Sequence, residues 1–167
     1  MCLCPSTEAD LGDGMAPTRD FLRAGISMSL GTDGQTQTSI LGEAARLEMH
    51  ERLRLQQRNV LQTQNEQPAQ VLMRAATVGG AEALNIEAGE IRPGLWADLV
   101  ALDLKDPHLA GADDDTLLDT LMFSADSRCV RDVFVAGRRV VKDGQHQDAP
   151  ISRDAFARLC DKLFASV

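Results

Sequence analysis

The sequence lacks the features that mark membrane proteins, secreted proteins and nucleic-acid-binding proteins. It contains no run of about 18 apolar residues, so no membrane-spanning helix is predicted. Its first residues include neither a basic segment nor a long apolar segment, so no secretory signal is predicted and we expect a cytoplasmic protein. The 25 Asp and Glu residues outnumber the 17 Lys and Arg residues, and the net charge of −8 argues against binding to nucleic acid or to anionic membranes.

Complete catalytic and metal-binding motifs are also absent. The three histidines lie far apart, and the sequence has no H-x-H, no H-E-x-x-H and no G-x-S-x-G. We expect His50 to face solvent and His108 and His146 to lie in loops, and we assign none of them a catalytic role. Cys2 and Cys4 form a C-x-C pair, but no second pair completes a zinc finger. The cysteines are interpreted as small buried thiols of a cytosolic protein.

The N-terminal part of the sequence predicts a β-α-β unit. The chain of 167 residues, 44% of them hydrophobic, is long enough for one domain with a sizeable core. Residues 1–14 begin with a short strand that Pro5 ends, and a polar, glycine-rich loop follows. A helix is predicted over 17–24, stopped by Gly25, and residues 26–30 alternate with the period of a strand. Two strands joined in this way are expected to be parallel.

A long helix is predicted after residue 39. Ser39 can cap its first turn, where Glu43 places a negative charge. The helical pattern continues through "ILGEAARLEMHERLRLQQRNVLQ", with Val60 and Leu61 on its apolar side. Several charged residues of this helix are interpreted as a solvated face or a subunit contact: Arg46, Glu48, Arg52 and Arg54.

The later part of the chain has a different character. Two shorter helices are predicted first, one from Pro68 and one that is capped by Thr77 and ended by Asn85. Turn residues and β-branched runs then predict a strand over 99–102 and a hairpin around Ala136 and Gly137.

We divide the chain into an α/β part (1–88), a β-rich module (89–150) and a C-terminal helix (151–167). Apolar residues recur in the last segment with the spacing of an amphipathic helix. They are Phe156, Leu159, Cys160, Leu163 and Phe164.

Three segments of the C-terminal half carry a resemblance to a known superfamily. "AATVGGAEAL", "GEIRPGLWADLVALD" and "VRDVFVAGRRVVKDG" resemble the amidohydrolase superfamily, whose members join a metal-dependent (β/α)₈ barrel to a small β-sandwich. In this signature a turn sends a strand across the sandwich, buries Ala97 and Val100, and leaves Asp98 at the turn. The signature is typical of the superfamily and not of one reaction.

The N-terminal segments resemble one branch of that superfamily. "LCPSTEADLGDG", "LGTDGQ" and "EAARLEMHERLRLQQRNVL" are similar to the formimidoylglutamate deiminases, which convert N-formimino-L-glutamate and water to N-formyl-L-glutamate and ammonia in histidine catabolism. The chain departs from the family pattern at Asp10, where Asn is more usual, and at Thr32-Asp33-Gly34, which stands in place of Ser-Asp-Ser. The resemblance covers essentially the whole chain and corresponds to barrel strands seven and eight followed by the C-terminal share of the sandwich.

The resemblance implies a role for Asp33. On the residues alone, Asp33 is either a turn residue that bonds its own backbone or a catalytic group at a strand end. As the aspartate of barrel strand eight it ligates a divalent metal, zinc in this family, and takes a proton from the metal-bound water that attacks the formimino carbon. Ser6, Thr7 and Glu8 follow strand seven, where they either bind substrate or cap the next helix.

The remaining ligands of such a site have no counterpart in this sequence. A stable zinc site needs three or four protein ligands, and the family's H-x-H and further histidines are absent here. We therefore expect a C-terminal fragment that is inactive alone and either forms a homo-oligomer or depends on a missing N-terminal half. Two alternatives stay open: a fragment of another amidohydrolase deaminase, acting on guanine or a triazine, and a non-catalytic module that associates with itself.

Overall fold

The structure is a computed structural model that describes residues 1–35 and 37–165, which form a mixed α/β fold with two sheets. The helices are α1 (Pro5–Leu11), α2 (Thr18–Arg23), α3 (Ile40–Leu55), α4 (Pro68–Ala76), α5 (Val78–Leu84), α6 (Leu117–Ser124) and α7 (Ala149–Phe164). The strands are β1 (Cys2–Leu3), β2 (Ser29–Leu30), β3 (Leu99–Leu102), β4 (Val130–Val135), β5 (Arg138–Lys142) and β6 (Gln145–His146). Across these described ranges, no helix combines the length and the apolar character that a membrane span requires.

The predicted β-α-β unit is present. Strands β1 and β2 pair in parallel, with Cys2 opposite Ser29 and Leu3 opposite Leu30. Helix α2 lies between them in sequence and is followed by Gly25 at a φ of 70°. Because parallel strands direct their carboxyl ends to the same edge of a sheet, the residues that follow β1 and β2 lie at one edge.

The prediction of a loop after β1 is wrong, because residues 5–11 form helix α1. Pro5 occupies the start of the helix, where its missing N–H would have no helical partner. Glu8 places a carboxylate in the first turn, and Gly12 ends the helix in the left-handed conformation with a φ of 73°. A proline at the first helical position and a glycine after the last one are thus the signals that a sequence-based assignment needed.

Helix α3 begins where the sequence predicts and ends earlier. The Ser39 hydroxyl accepts a hydrogen bond from the Gly42 N–H at 3.1 Å, which confirms the cap. The helix ends before Gln56, which adopts the left-handed conformation with a φ of 54°. Val60 and Leu61 are buried as apolar residues, but they belong to the segment that follows the helix.

The prediction of a solvated charged face on α3 is wrong for Glu48, which is fully buried, while Arg46, Arg52 and Arg54 are half-buried. Two further carboxylates of the helix, Glu43 and Glu51, are fully buried as well. Glu48 accepts hydrogen bonds from the N–H groups of Val60 at 3.0 Å and Leu61 at 2.8 Å. Arg52 adds a charged donor at 2.7 Å. The Glu48 carboxylate therefore holds the segment after α3 against the helix.

Glu51 connects α2 to α3 in the same way. Its carboxylate accepts the backbone N–H of Arg19 at 3.1 Å and two bonds from the Arg54 guanidinium at 2.6 and 2.9 Å. Burial raises the pKa of the Glu51 carboxyl, but the bonds from Arg54 and from the Arg19 N–H outweigh it. The pKa of Glu51 lies below its ordinary value as a result.

Helices α4 and α5 follow the predicted boundaries. Pro68 opens α4, and Asn85 ends α5 in the left-handed conformation. The predicted cap at Thr77 is wrong, because the Thr77 hydroxyl donates to the carbonyl of Met73 within α4 and makes no bond to the first turn of α5.

The main core lies between α3, α4, α6 and the two-stranded sheet. Helix α5 reaches β2 through Gly79, whose position beside the Met28 carbonyl leaves no room for a Cβ. The largest fully buried apolar side chains are Leu47, Leu61, Leu72, Leu109 and Met122.

The β-rich module forms an antiparallel sheet in the order β3-β4-β5-β6, which confirms the predicted strand over 99–102 and the hairpin. Ala136 and Gly137 join β4 to β5 with φ angles of 50° and 76°. Asp143 and Gly144 join β5 to β6 with φ angles of 48° and 74°. Two successive left-handed residues are typical of the tight turns that match the twist of a hairpin.

The prediction that Ala97 and Val100 are buried is wrong. Val100 is 59% exposed, and Ala97 is exposed as well. Asp98 does lie at the turn, where its carboxylate accepts the Ala136 N–H at 2.7 Å. The two apolar side chains are exposed because no other element of the described chain packs over them.

Helix α7 is confirmed, and its apolar stripe has no cover from the described part of the chain. The helix contains no buried residue. Phe156 is 68% exposed and Phe164 is 71% exposed.

We expect Glu48→Gln to lower the free energy of unfolding by about 1–3 kcal/mol, because the new amide group turns a donor towards the N–H of Val60 or Leu61. Urea denaturation of this chain measures the change. Glu90→Gln is the matched control, because Glu90 is exposed and its pair with Arg92 at 3.4 Å lies on the surface. Equal losses in the two variants would contradict the role given to Glu48.

The stabilisation from Glu51 is expected to depend on pH. A carboxyl whose pKa is lower in the folded than in the unfolded chain stabilises the fold above its ordinary pKa of 4.5, and the stabilisation is lost as pH falls through the folded value. The difference in unfolding free energy between the native chain and Glu51→Gln should be constant near neutral pH and shrink below pH 4.5. Glu87→Gln is the control, because Glu87 is exposed. If the free-energy difference between the native chain and Glu51→Gln does not shrink below pH 4.5, the lowered pKa assigned to Glu51 is wrong.

Candidate active site

Asp33 lies at the carboxyl edge of the two-stranded sheet. It follows β2 by two residues and sits in a turn closed by a hydrogen bond from the Gln35 N–H to the Thr32 carbonyl at 2.7 Å. Its φ of 32° is unusual for a residue with a side chain, and the side chain is exposed. Among the described residues, no donor reaches the Asp33 carboxylate within hydrogen-bond distance. The Asp33 carboxylate is therefore exposed at this edge and accepts no hydrogen bond from the described residues of its own turn.

Thr7 contacts both sides of Asp33. Its hydroxyl accepts the Gly34 N–H at 3.0 Å and donates to the Thr32 carbonyl at 3.3 Å. Thr7 is only 5% exposed, and a Cβ on Gly34 would lie 3.2 Å from its methyl group. Both hydrogen-bonding functions of the hydroxyl are thus engaged within the chain.

Glu8 and Ser6 use their polar groups at the start of α1. A Glu8 carboxylate oxygen accepts the Cys4 N–H at 2.9 Å, which closes a cap on its own helix. Ser6 donates its backbone N–H to Glu43 at 2.9 Å and its hydroxyl to the other Glu43 oxygen. These contacts of Glu8 and Ser6 are those of helix capping, and the substrate-binding role of Thr7 and Glu8 stays a prediction.

The interpretation of the cysteines as buried thiols is right for Cys129 alone. Cys2 is exposed, and Cys4 and Cys160 are half-buried. The thiols of Cys2 and Cys4 both lie against Gly31, where a Cβ would meet them at 3.2 and 3.1 Å. Cys2 in β1 and Cys4 directly after it lie on the same side of the chain, and Leu3 between them is buried in the core.

The thiol of Cys4 belongs to the same edge as Asp33. Burial raises the pKa of Cys4 to about 11, and the Cys2 thiol and the Asp33 and Glu8 carboxylates add to the shift. Sequence reasoning missed this proximity, although the C-x-C spacing in an extended segment places both thiols on one side.

The histidines lie outside this group. His50 is half-buried and not solvent-facing, and burial together with the Arg46 guanidinium holds its pKa below the ordinary value. His108 lies in a loop and contacts Asp106 at 2.8 Å. His146 belongs to β6 and not to a loop.

The donor set does not make a complete metal site. Residues 1–35 and 37–165 contain no group of three or more His, Cys, Asp or Glu side chains that could hold a metal ion. Asp33 fits as one ligand, because its carboxylate is exposed and no described residue donates to it, but zinc sites take three or four protein ligands. A metal at this edge would need ligands from outside the described residues.

A groove of about 540 Å³ lies elsewhere, between α2 and the segment after α3. Arg19, Arg23 and Arg58 line it, and none of the predicted site residues does.

Comparison with known proteins identifies relatives of the whole chain. Residues 1–140 match the amidohydrolase family. The chain is 44% identical to the formimidoylglutamate deiminase of Pseudomonas aeruginosa over 163 residues, which cover 96% of this chain and 36% of that protein. The chain thus spans little more than a third of the length of that relative.

Solved structures of related enzymes also superpose on nearly the whole of this chain. An amidohydrolase from Brucella melitensis superposes with a TM-score of 0.83 at 32% identity, over 96% of this chain and 35% of that one. An adenosine deaminase from Xanthomonas campestris with bound zinc superposes with a TM-score of 0.85 at 25% identity, over 99% of this chain and 37% of that one.

The proximity of Cys4 to Asp33 predicts slow alkylation of Cys4. With a pKa of about 11, its thiolate population near pH 8 is about a hundredfold below that of an ordinary thiol. Asp33→Asn removes a negative charge and should speed the reaction, whereas the control Asp98→Asn in the β-rich module should not. Iodoacetamide labelling followed by peptide mass spectrometry measures both rates, and equal effects of the two variants would refute the placement.

Proposed function

Because this chain belongs to the amidohydrolase family, we propose that it forms part of a metal-dependent hydrolase that releases ammonia from a C–N bond. The proposed reaction is the conversion of N-formimino-L-glutamate and water to N-formyl-L-glutamate and ammonia. Support comes from the 44% identity to a formimidoylglutamate deiminase along nearly the whole chain. The four cysteines are free thiols, which agrees with the cytoplasm as the place of action.

The proposed architecture assigns β1 and β2 to strands seven and eight of a (β/α)₈ barrel. Residues 1–88 would belong to the barrel, residues 89–150 to a composite β-sandwich, and residues 151–167 to a C-terminal helix. The parallel pairing of β1 with β2 supports the first assignment, and the antiparallel sheet β3–β6 supports the second. Active sites of such barrels lie at the carboxyl ends of the strands, which is the edge that carries Asp33.

The observation that carries the proposal is the exposed carboxylate of Asp33 at that edge, which accepts no hydrogen bond from residues 1–35 or 37–165. A carboxylate that no neighbouring donor occupies can bind a cation or accept a proton from water. A divalent metal bound there would make hydroxide available near neutral pH. Asp33 is therefore the proposed metal ligand and general base, and Thr7 and Glu8 form the proposed rim of the substrate site.

The rest of the site is proposed to come from residues outside this chain. Asp33 alone cannot hold zinc, and the relatives are nearly three times as long as the segment that matches. We therefore expect this chain to be inactive by itself and to act with an N-terminal half or in a homo-oligomer that supplies further ligands.

A second candidate is a deaminase of another substrate in the same family. The TM-score of 0.85 to an adenosine deaminase favours it, because the fold accommodates more than one amine-releasing reaction. A panel of N-formimino-L-glutamate, adenosine and guanine distinguishes the candidates.

We expect ammonia release from N-formimino-L-glutamate, with added zinc, only from the protein extended upstream in its native reading frame. In that protein, Asp33→Asn should reduce kcat/KM by about 10²–10⁴-fold through loss of the proton acceptor and ligand. Asp10→Asn, which installs the residue more usual in the deiminases, is the control and should keep the activity.

The outcomes separate the proposals. Activity on adenosine or guanine alone would replace the deiminase with the second candidate. Activity on none of the three substrates would leave the family membership intact and overturn the proposed reaction.

A further inference from the structure

We propose that Thr7 and Glu43 are positioning residues for Asp33. Glu43 fixes the start of helix α1, and Thr7, inside that start, holds the turn that carries Asp33. The proposal rests on the proposed function only where it gives Asp33 a chemical role.

The contacts of Thr7 define the first step. One hydroxyl accepts the Gly34 N–H and donates to the Thr32 carbonyl, so it is bonded to the residues on both sides of Asp33. Asp33 has a φ of 32°, a conformation that persists in a residue with a side chain only when its surroundings hold it. The Thr7 hydroxyl supplies two of the bonds that hold it.

The contacts of Glu43 define the second step. Glu43 is fully buried in the first turn of α3, and its two oxygens accept the N–H and the hydroxyl of Ser6. The Ser6 N–H is one of the first N–H groups of α1, which have no partner inside that helix. The carboxylate of the first turn of α3 therefore accepts two bonds from the first turn of α1, and these bonds fix α1 against α3.

These two steps form one connection from the core to the site. Ser6 and Thr7 are neighbours in α1, so the bond from Ser6 to Glu43 sets the position of the Thr7 hydroxyl. Asp33 lies on the segment between β2 and α3, and the Thr7 bonds attach the middle of that segment to α1. A ligand or base must be held within about 0.5 Å of its productive position, so loss of this attachment would impair chemistry without removing any reacting group.

The hydroxyl of Thr7 is the direct test. In this chain, Thr7→Val removes both bonds at nearly constant volume, and Thr7→Ser keeps the hydroxyl. Hydrogen exchange of the Gly34 amide, followed by NMR, reports the bond that Thr7 accepts. We expect Thr7→Val to speed that exchange by about fivefold or more, and Thr7→Ser to restore the native rate.

Glu43→Gln tests the second step against a matched variant. Glu43→Gln should speed exchange at Ser6 and Gly34, whereas Glu48→Gln should act at Val60 and Leu61 and leave Gly34 unchanged. If Glu43→Gln does not fold, Ser6→Ala removes the hydroxyl bond alone and should still speed exchange at Gly34.

Each outcome decides the proposal. If the Gly34 amide of Thr7→Val exchanges at the native rate, the first step is wrong. If Glu48→Gln speeds exchange at Gly34 as much as Glu43→Gln does, the second step is wrong, because the effect is then a general destabilisation of the fold. In the extended protein, Thr7→Val should lower kcat more than it changes KM, with Thr7→Ser close to native, and an unchanged kcat overturns the positioning role. The exchange measurements stand even if the extended protein fails to act on any substrate, so failure of the proposed reaction is distinguishable from failure of this proposal.

Discussion

The fold around the candidate site depends on carboxylates that are buried on one helix and bonded to the backbone of other segments. Each of the three takes an N–H from a different place: Glu43 from α1, Glu48 from the segment after α3, and Glu51 from α2. A buried carboxylate is costly unless its oxygens are bonded, so each bond restricts where its segment can lie. Strands β1 and β2 have two residues each and offer too little pairing to fix three helices. The carboxylates of α3 therefore carry much of the geometry that a larger sheet would otherwise impose.

The sequence could predict what depends on local signals. Ser39, Gly25, Asn85 and the glycine turns of the β-rich module act on their own neighbours, and the elements they bound are at the predicted places. Glu48 was interpreted as part of a solvated face together with the arginines of α3, and the burial of Glu43 and Glu51 was not predicted. The partner of Glu43 is a backbone N–H group 37 residues away, and that of Glu51 is one 32 residues away. Because every residue except proline has a backbone N–H, the residue type does not identify such a partner. The start of α1 escaped prediction for a different reason, since its proline and glycine signals were present and were assigned to a loop.

The exposed apolar groups and the Asp33 carboxylate share one property, which is that each lacks a partner among the described residues. Val100 and the stripe of α7 have apolar surface that no described element covers, and Asp33 has a carboxylate that no described donor uses. Contiguous exposed apolar surface marks a place where another surface packs. The deiminase and adenosine deaminase relatives are nearly three times as long as the region of similarity, so they contain additional chain that could cover such surfaces and complete such a site.

At the start of α1, the hydrogen bonds that cap the helix also set the geometry of the candidate site. The alternatives for Ser6, Thr7 and Glu8 were a substrate rim and a helix cap, and the contacts of Ser6 and Glu8 are those of a cap. The first N–H groups of α1 require acceptors, and Glu8 and Glu43 provide them. Once both acceptors are in place, the first turn of α1 has a fixed position, and the Thr7 hydroxyl meets the turn of Asp33 from that position. A requirement that every helix start must satisfy thereby determines where the carboxylate of the candidate site is presented.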